Sequence, residues 1–203
     1  MTPVLFWRSR GLVWLGAGIA VVGAASWWVP LGLVENPFNA MRLSVVECVP
    51  GLGAGVFVSL LVANPMPELE GTASRPRLWR ARLSWLMLAL VGFAAIGATL
   101  MLVRPGGGAW LAVVHVRACA VSLGLGVASG TWLPRQVAWL PSTAYLVACW
   151  LGGIVDLIGS AAWWAVPCYL ADSWLAACAA SCAFLAGVVV YVARGGWPLS
   201  AGE

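Results

Sequence analysis

An all-α membrane protein of six crossing helices is the fold this sequence predicts, and three observations carry that prediction. Hydrophobic residues make up 62% of the 203 positions and charged residues only 9%, with a mean hydropathy of +0.93. A water-soluble domain could not cover its surface with so few charges. Six apolar runs reach the length needed to cross a hydrocarbon core about 30 Å thick, which takes about 20 helical residues. Fourteen tryptophans fall mostly near the ends of those runs, alternating from one end to the other, as rings that prefer the membrane interface should. The runs lack the strict alternation of a barrel strand, so β-structure is not expected. Residues 1–203 read as a single transmembrane domain.

The first run, about 11–34, follows Arg8 and Arg10 and ends in small residues, as a signal peptide does. Its 24 residues are long enough to span, so it is read as helix 1 and not as a cleaved leader. The second, about 43–63, must end at "NPMP", because Pro65 and Pro67 cannot continue a helix and push the residue before each out of helical geometry. The third and fourth, about 83–103 and 109–131, are joined by the tight turn "VRPGGGAW". The turn "TWLPRQVAW" leads into the fifth, about 136–157. Ile158 to Trp174, "IGSAAWWAVPCYLADSW", is too apolar for a free loop and too broken by Pro167 for another span. It is expected to dip into the interface or bend back into the bundle on the outer side. The sixth run covers about 173–193.

Charge sets the orientation. The net charge of +4 comes from arginine without any lysine. With the N-terminus in the cytoplasm, Arg8, Arg10, Arg75, Arg77, Arg80, Arg82, Arg135 and Arg194 lie inside, and only Arg42 and Arg104 outside. That bias puts both termini in the cytoplasm of a cell-membrane protein and makes lipid, not nucleic acid, the expected partner of the charge. Tryptophan agrees, with Trp79 and Trp85 at the inner face, Trp163 and Trp174 at the outer, and Trp150 alone near mid-helix. Six cysteines lack any CxxC spacing, and five of them lie in apolar runs, where cysteine behaves as a small buried hydrophobe. Cys178 and Cys182 are one turn apart, but a metal site needs more ligands than one histidine can add, so no metal is expected. Pairs of small residues four apart, among them Gly16/Ala20, Ala20/Ala24, Gly51/Gly55 and Gly126/Gly130, permit close helix approach.

The connector "NPMPELEGTASRPRLWRARLSW" holds two of the seven acids and four of the eleven arginines. Met66 and Leu69 give a short helix an apolar edge, while Glu68 and Glu70 face water or a partner, and Gly71 breaks the helix. Arginines at the start of helix 3 can snorkel to lipid phosphates. A topology signal alone accounts for the arginines but not for the acids, which contribute little to orientation. A docking surface accounts for both.

"PELEGTASRP" resembles the cytoplasmic connector of type-2 ATP-binding-cassette permeases, where an acidic pair precedes Gly-Thr and then a proline beside basic residues. Six spans with a bent segment between helices 5 and 6 are also similar to that family's plan, although this chain is short for it and has little room for an elbow helix before helix 1. The resemblance implies an exporter subunit in which Glu68, Glu70, Gly71 and Thr72 belong to a coupling helix, with Arg75 and Pro76 closing the motif. It also implies a separate cytoplasmic ATPase in two copies carrying ATP and Mg, a second permease copy or related permease, and an outer gate at 158–174. A phosphate-cradling GxxxxGK[ST] loop needs a lysine, and the chain has none.

Glu47, Arg117 and Asp156 are the charges within the runs. Arg117 lies seven residues inside Trp110, roughly 11 Å at 1.5 Å per residue, and should face the bundle with a partner, Glu47 or Asp156. Such a pair either fixes helix register or serves gating and substrate contact. His115, two positions away and about 200° round the helix, cannot share that face and is expected to be packed. With one histidine and no Ser/His/Asp set, catalysis within the chain is not expected. Two other readings fit the composition: the substrate-binding membrane subunit of an energy-coupling-factor uptake transporter, and a non-transport scaffold. A direct ATPase contact at residues 68–72 separates the first reading from both.

Overall fold

A computed structural model describes residues 11–31, 40–62, 75–103, 108–152, 161–169 and 172–194. They form six α-helices: α1 (Leu12–Leu31), α2 (Ala40–Val62), α3 (Arg75–Val103), α4 (Gly108–Trp132), α5 (Leu140–Gly152) and α6 (Trp174–Arg194), with a 3-10 turn at Val166–Cys168 before α6. Among the described residues three segments are long and apolar enough to cross a membrane: Leu78–Thr99, Leu111–Trp132 and Trp174–Arg194. Leu12–Trp27, Val49–Val62 and Leu140–Cys149 are shorter apolar helical stretches.

Two helix starts differ from those the apolar runs predict. α3 begins at Arg75, not near 83, because Pro76 is tolerated in a first turn, where its missing N–H would have no partner anyway. Arg75 and Pro76 therefore open α3, at the junction with the connector. α5 begins at Leu140, not near 136. Residues 135–139 are turns, with the Pro134 carbonyl accepting from the amides of Val137 and Ala138 at 3.0 Å each, and Pro141 suits the helix's first turn.

α4 is the hub. It packs against α2, α6, α3 and α5 and against the 3-10 turn, and 72% of its spanning window is buried against 28% for that of α6. Glycine makes this closeness possible. A Cβ on Gly126 would overlap the carbonyl of Gly55, and one on Gly55 the carbonyl of Ser122, so α2 and α4 meet backbone to backbone. Gly51, facing Ala118, and Gly130, against the Ser59 carbonyl, extend that seam. Gly124 and Gly187 do the same for α4 and α6. In lipid, where apolar burial gives no net drive between helices, such contact is what holds a bundle together. Gly16 of α1, in the same small-residue spacing, has open space beside it, and Ala20 and Ala24 are exposed.

Large apolar side chains cover much of the described surface, and a few polar groups are buried. Val13, Val91, Leu102, Leu151 and Val189 are each more than 60% exposed, the outward face a bilayer would solvate. Four buried hydroxyls are satisfied within their own helices: Ser26 donates to the Val22 carbonyl, Ser59 to Val56, Ser129 to Gly126 and Thr131 to Ala128, at 2.7–3.1 Å. Trp14, Trp27, Trp79, Trp132, Trp139, Trp163 and Trp174 are exposed, as interfacial rings would be. Trp85 is not: it is fully buried beside Leu86, Phe93, Val58 and Tyr191, because it lies on the inward face of α3, six residues past Trp79 and so about 240° round the helix from it. Trp85→Ala is expected to destabilise the bundle by about 2 kcal/mol. Lipid removes the transfer part of the usual Trp→Ala cost and leaves the cavity part. Thermal unfolding in detergent measures it.

Candidate functional site

The predicted coupling residues Glu68, Glu70, Gly71 and Thr72, and the intramembrane Asp156, lie outside the described residues. Glu47 is within α2, and Arg75 and Pro76 are at the start of α3, but their side chains are likewise outside the description. The predicted pairing of Arg117 with Glu47 or Asp156 therefore lies outside the described residues. What the structure does place around Arg117 is informative.

Arg117 is buried, as predicted for a charge within a span. Its guanidinium donates through Nη2 to the carbonyls of Pro167, at 3.4 Å, and of Tyr169. Both belong to the bent stretch between α5 and α6. From the other side, the Tyr145 hydroxyl on α5 donates to the Trp164 carbonyl at 3.1 Å. The stretch closes on itself through the 3-10 bonds Ala165 N to Ala162 O, 2.8 Å, and Cys168 N to Ala165 O, 2.9 Å. Ala162, Ala165 and Cys168 are buried in one cluster with Leu52 of α2, Val114 and Ala118 of α4, and Cys149 of α5. The apolar segment thus bends back into the bundle, and non-helical backbone is tolerated in such surroundings only when protein covers it.

Arg117 also lines a groove of about 480 Å³ between α3, α4 and α6, walled by small residues such as Gly97, Ala98, Val116, Ala177 and Ser181. His115 points elsewhere. Its Nδ1 lies 3.4 Å from Ser26 Oγ of α1, and its Nε2 is 3.3 Å from the Phe93 carbonyl of α3 and 3.4 Å from Cys119 Sγ. The histidine is packed, tying three helices together, on the opposite side of α4 from the arginine.

The arginines read as snorkelling to lipid divide. Arg80 is exposed, but Arg82 is buried, with its guanidinium 5.8 Å from the Tyr191 ring and Nη1 donating to the Val192 carbonyl at 3.3 Å. Arg194 lies over the Trp132 ring at 4.5 Å, so α6 is tied to α3 and to the end of α4 by two cation–π contacts. Cysteine also divides. Cys119, Cys149 and Cys168 are buried, whereas Cys178 and Cys182 are exposed on α6, where a small weakly polar side chain sits comfortably against lipid. No group of three potential metal ligands occurs among the described residues.

Sequence reasoning missed Tyr145. The available signal was a tyrosine in an otherwise apolar helix, whose hydroxyl must find a partner when buried.

The class these features define is an all-helical protein of membrane-protein character, with an apolar exterior and a glycine-seamed, mainly apolar interior that buries a few polar groups. No protein-family model, curated protein or solved structure matches the chain.

Proposed function

We propose that this chain is the membrane-spanning permease subunit of an ATP-driven exporter whose ATPase is a separate cytoplasmic protein. In this reading all six helices cross the cell membrane with both termini in the cytoplasm, and the α2–α3 connector docks on the ATPase through Glu68, Glu70, Gly71 and Thr72. Two ATPase copies drawn together by ATP and Mg would move that connector and, through α2 and α3, the bundle. A second permease copy or related subunit completes the pathway. The cargo is hydrophobic or amphipathic, in keeping with the groove between α3, α4 and α6, where small apolar side chains outnumber polar ones.

The observation that carries the reading is the connector "PELEGTASRP" itself, an acidic, glycine-broken motif beside basic residues at the mouth of two apolar helices. The apolar exterior supports membrane insertion. Affinity purification of the chain with its co-encoded neighbours tests the reading: an ABC-type ATPase is expected to co-purify in detergent and to be lost from Glu68→Lys/Glu70→Lys chains. An ATPase reached only through another membrane protein would point to the energy-coupling-factor plan, and retention of the ATPase by the charge-reversed chain would refute the docking role.

A further inference from the structure

We propose that Arg117 and Tyr145 form a two-point latch that holds residues 161–169 lodged in the bundle, and that release of this latch is the step by which the segment withdraws. Its purpose rests on the transport reading, in which the segment gates the pathway; its test does not.

The two donors take the segment on either side of its 3-10 turn. Tyr145 of α5 holds the carbonyl of Trp164, before the turn, and Arg117 of α4 holds those of Pro167 and Tyr169, at its end and just beyond it. The fully buried side chains beneath the turn, Ala162, Ala165, Pro167 and Cys168, are small, and Trp164 packs partly buried against the same cluster; in a bilayer there is no transfer gain from burying them against other apolar groups. Hydrogen bonds from a charged donor are about twice as strong as neutral ones, and the guanidinium provides two of the three described here. The polar clamp is therefore a directional hold on the segment beside its apolar packing, and one that single substitutions remove. Arg117 also borders the groove between α3, α4 and α6, so the latch residue is in reach of whatever occupies that groove.

The seated position has its own reporter. Cys168 on the segment contacts the Cys149 thiol on α5, and both are buried. Cys119 is buried in the other apolar cluster, beside His115.

The full chain, reconstituted in phosphatidylcholine vesicles, is treated with a membrane-impermeant maleimide, and the labelling rate of each cysteine is followed by mass spectrometry. In Arg117→Met, Cys149 and Cys168 are expected to label at least about 10-fold faster than in the wild type, the equivalent of weakening the closed state by about 1.4 kcal/mol. Tyr145→Phe, which also removes the hydroxyl's hydrogen bond with the Cys149 thiol, is read at Cys168, where a rise of about 3-fold is expected, and Arg117→Lys gives a smaller rise than methionine. Cys119 labelling stays unchanged throughout. Under mild oxidation by diamide, the wild type forms a Cys149–Cys168 disulfide more readily than Arg117→Met does. Cys149 and Cys168 remaining as slow as Cys119 in both the Met and Phe variants would overturn the latch. So would a parallel rise at Cys119, which would assign Arg117 to the bundle as a whole. No ATPase or cargo enters the measurement, so a failure of the transport reading leaves this result standing, and the reverse holds.

Discussion

Replacing Gly126 with leucine is expected to abolish the folded bundle. Even the Cβ of the new side chain would overlap the Gly55 carbonyl on α2, and a backbone carbonyl cannot step aside as a flexible side chain can. Overpacking a core by one or two methylenes costs about 1–3 kcal/mol. Here α2 and α4 must separate along a seam that also includes Gly51 against Ala118 and Gly130 against the Ser59 carbonyl, so the loss should exceed about 3 kcal/mol. Gly126→Ala already places that Cβ and should cost nearly as much. Leucine at Gly16, where a Cβ meets nothing within 4 Å, should leave stability within about 0.5 kcal/mol of the wild type. Size-exclusion profiles and thermal unfolding in detergent compare the three.

The second large effect concerns the connector. With the ATPase docked at residues 68–72, Glu70→Arg is expected to uncouple the machine: ATP hydrolysis continues while cargo movement in vesicles falls at least about 10-fold. Reversing a charge at a docking contact places like charges together, which costs several kcal/mol and misplaces the transmitted motion. The helices should insert as before, since acids contribute little to orientation. Transport at the wild-type rate would remove Glu70 from the contact.

How much could be read from the residues depended on which physical cue each feature leaves in sequence. The six described helices were legible because each leaves an apolar run, and four of the six starts fall within three residues of the expected ones; only three are long and apolar enough to cross a membrane. The start of α3 was not legible, because Pro76 and its arginines look like loop chemistry, although a first turn accepts both. Small-residue spacing foretold the α2–α4 seam at Gly51, Gly55, Gly126 and Gly130. The same spacing at Gly16, Ala20 and Ala24 faces outward, since a spacing names a face without naming what lies opposite. The Gly124–Gly187 approach between α4 and α6 carries the same spacing, in Ala120/Gly124 and Ala183/Gly187, which was not singled out. Trp85 and Arg82 show the same limit: a helical turn decides between interface and core, and only packing fixes the turn. For Arg117, burial was foreseeable from the cost of a charge in a bilayer. Its described partners were not, because they are backbone carbonyls fifty and fifty-two residues along the chain, and a carbonyl has no letter in the sequence.

The reading as a transporter subunit depends on where the acidic connector sits. Single cysteines introduced at Thr72 and at Gly107, in a chain with its native cysteines replaced by alanine or serine, can be labelled in sealed cells with an impermeant maleimide and again after the membrane is opened. The account predicts that Gly107→Cys reacts in sealed cells, whereas Thr72→Cys reacts only once the cytoplasmic face is exposed. Labelling of Thr72→Cys from outside sealed cells would place the connector away from any cytoplasmic ATPase and contradict the account.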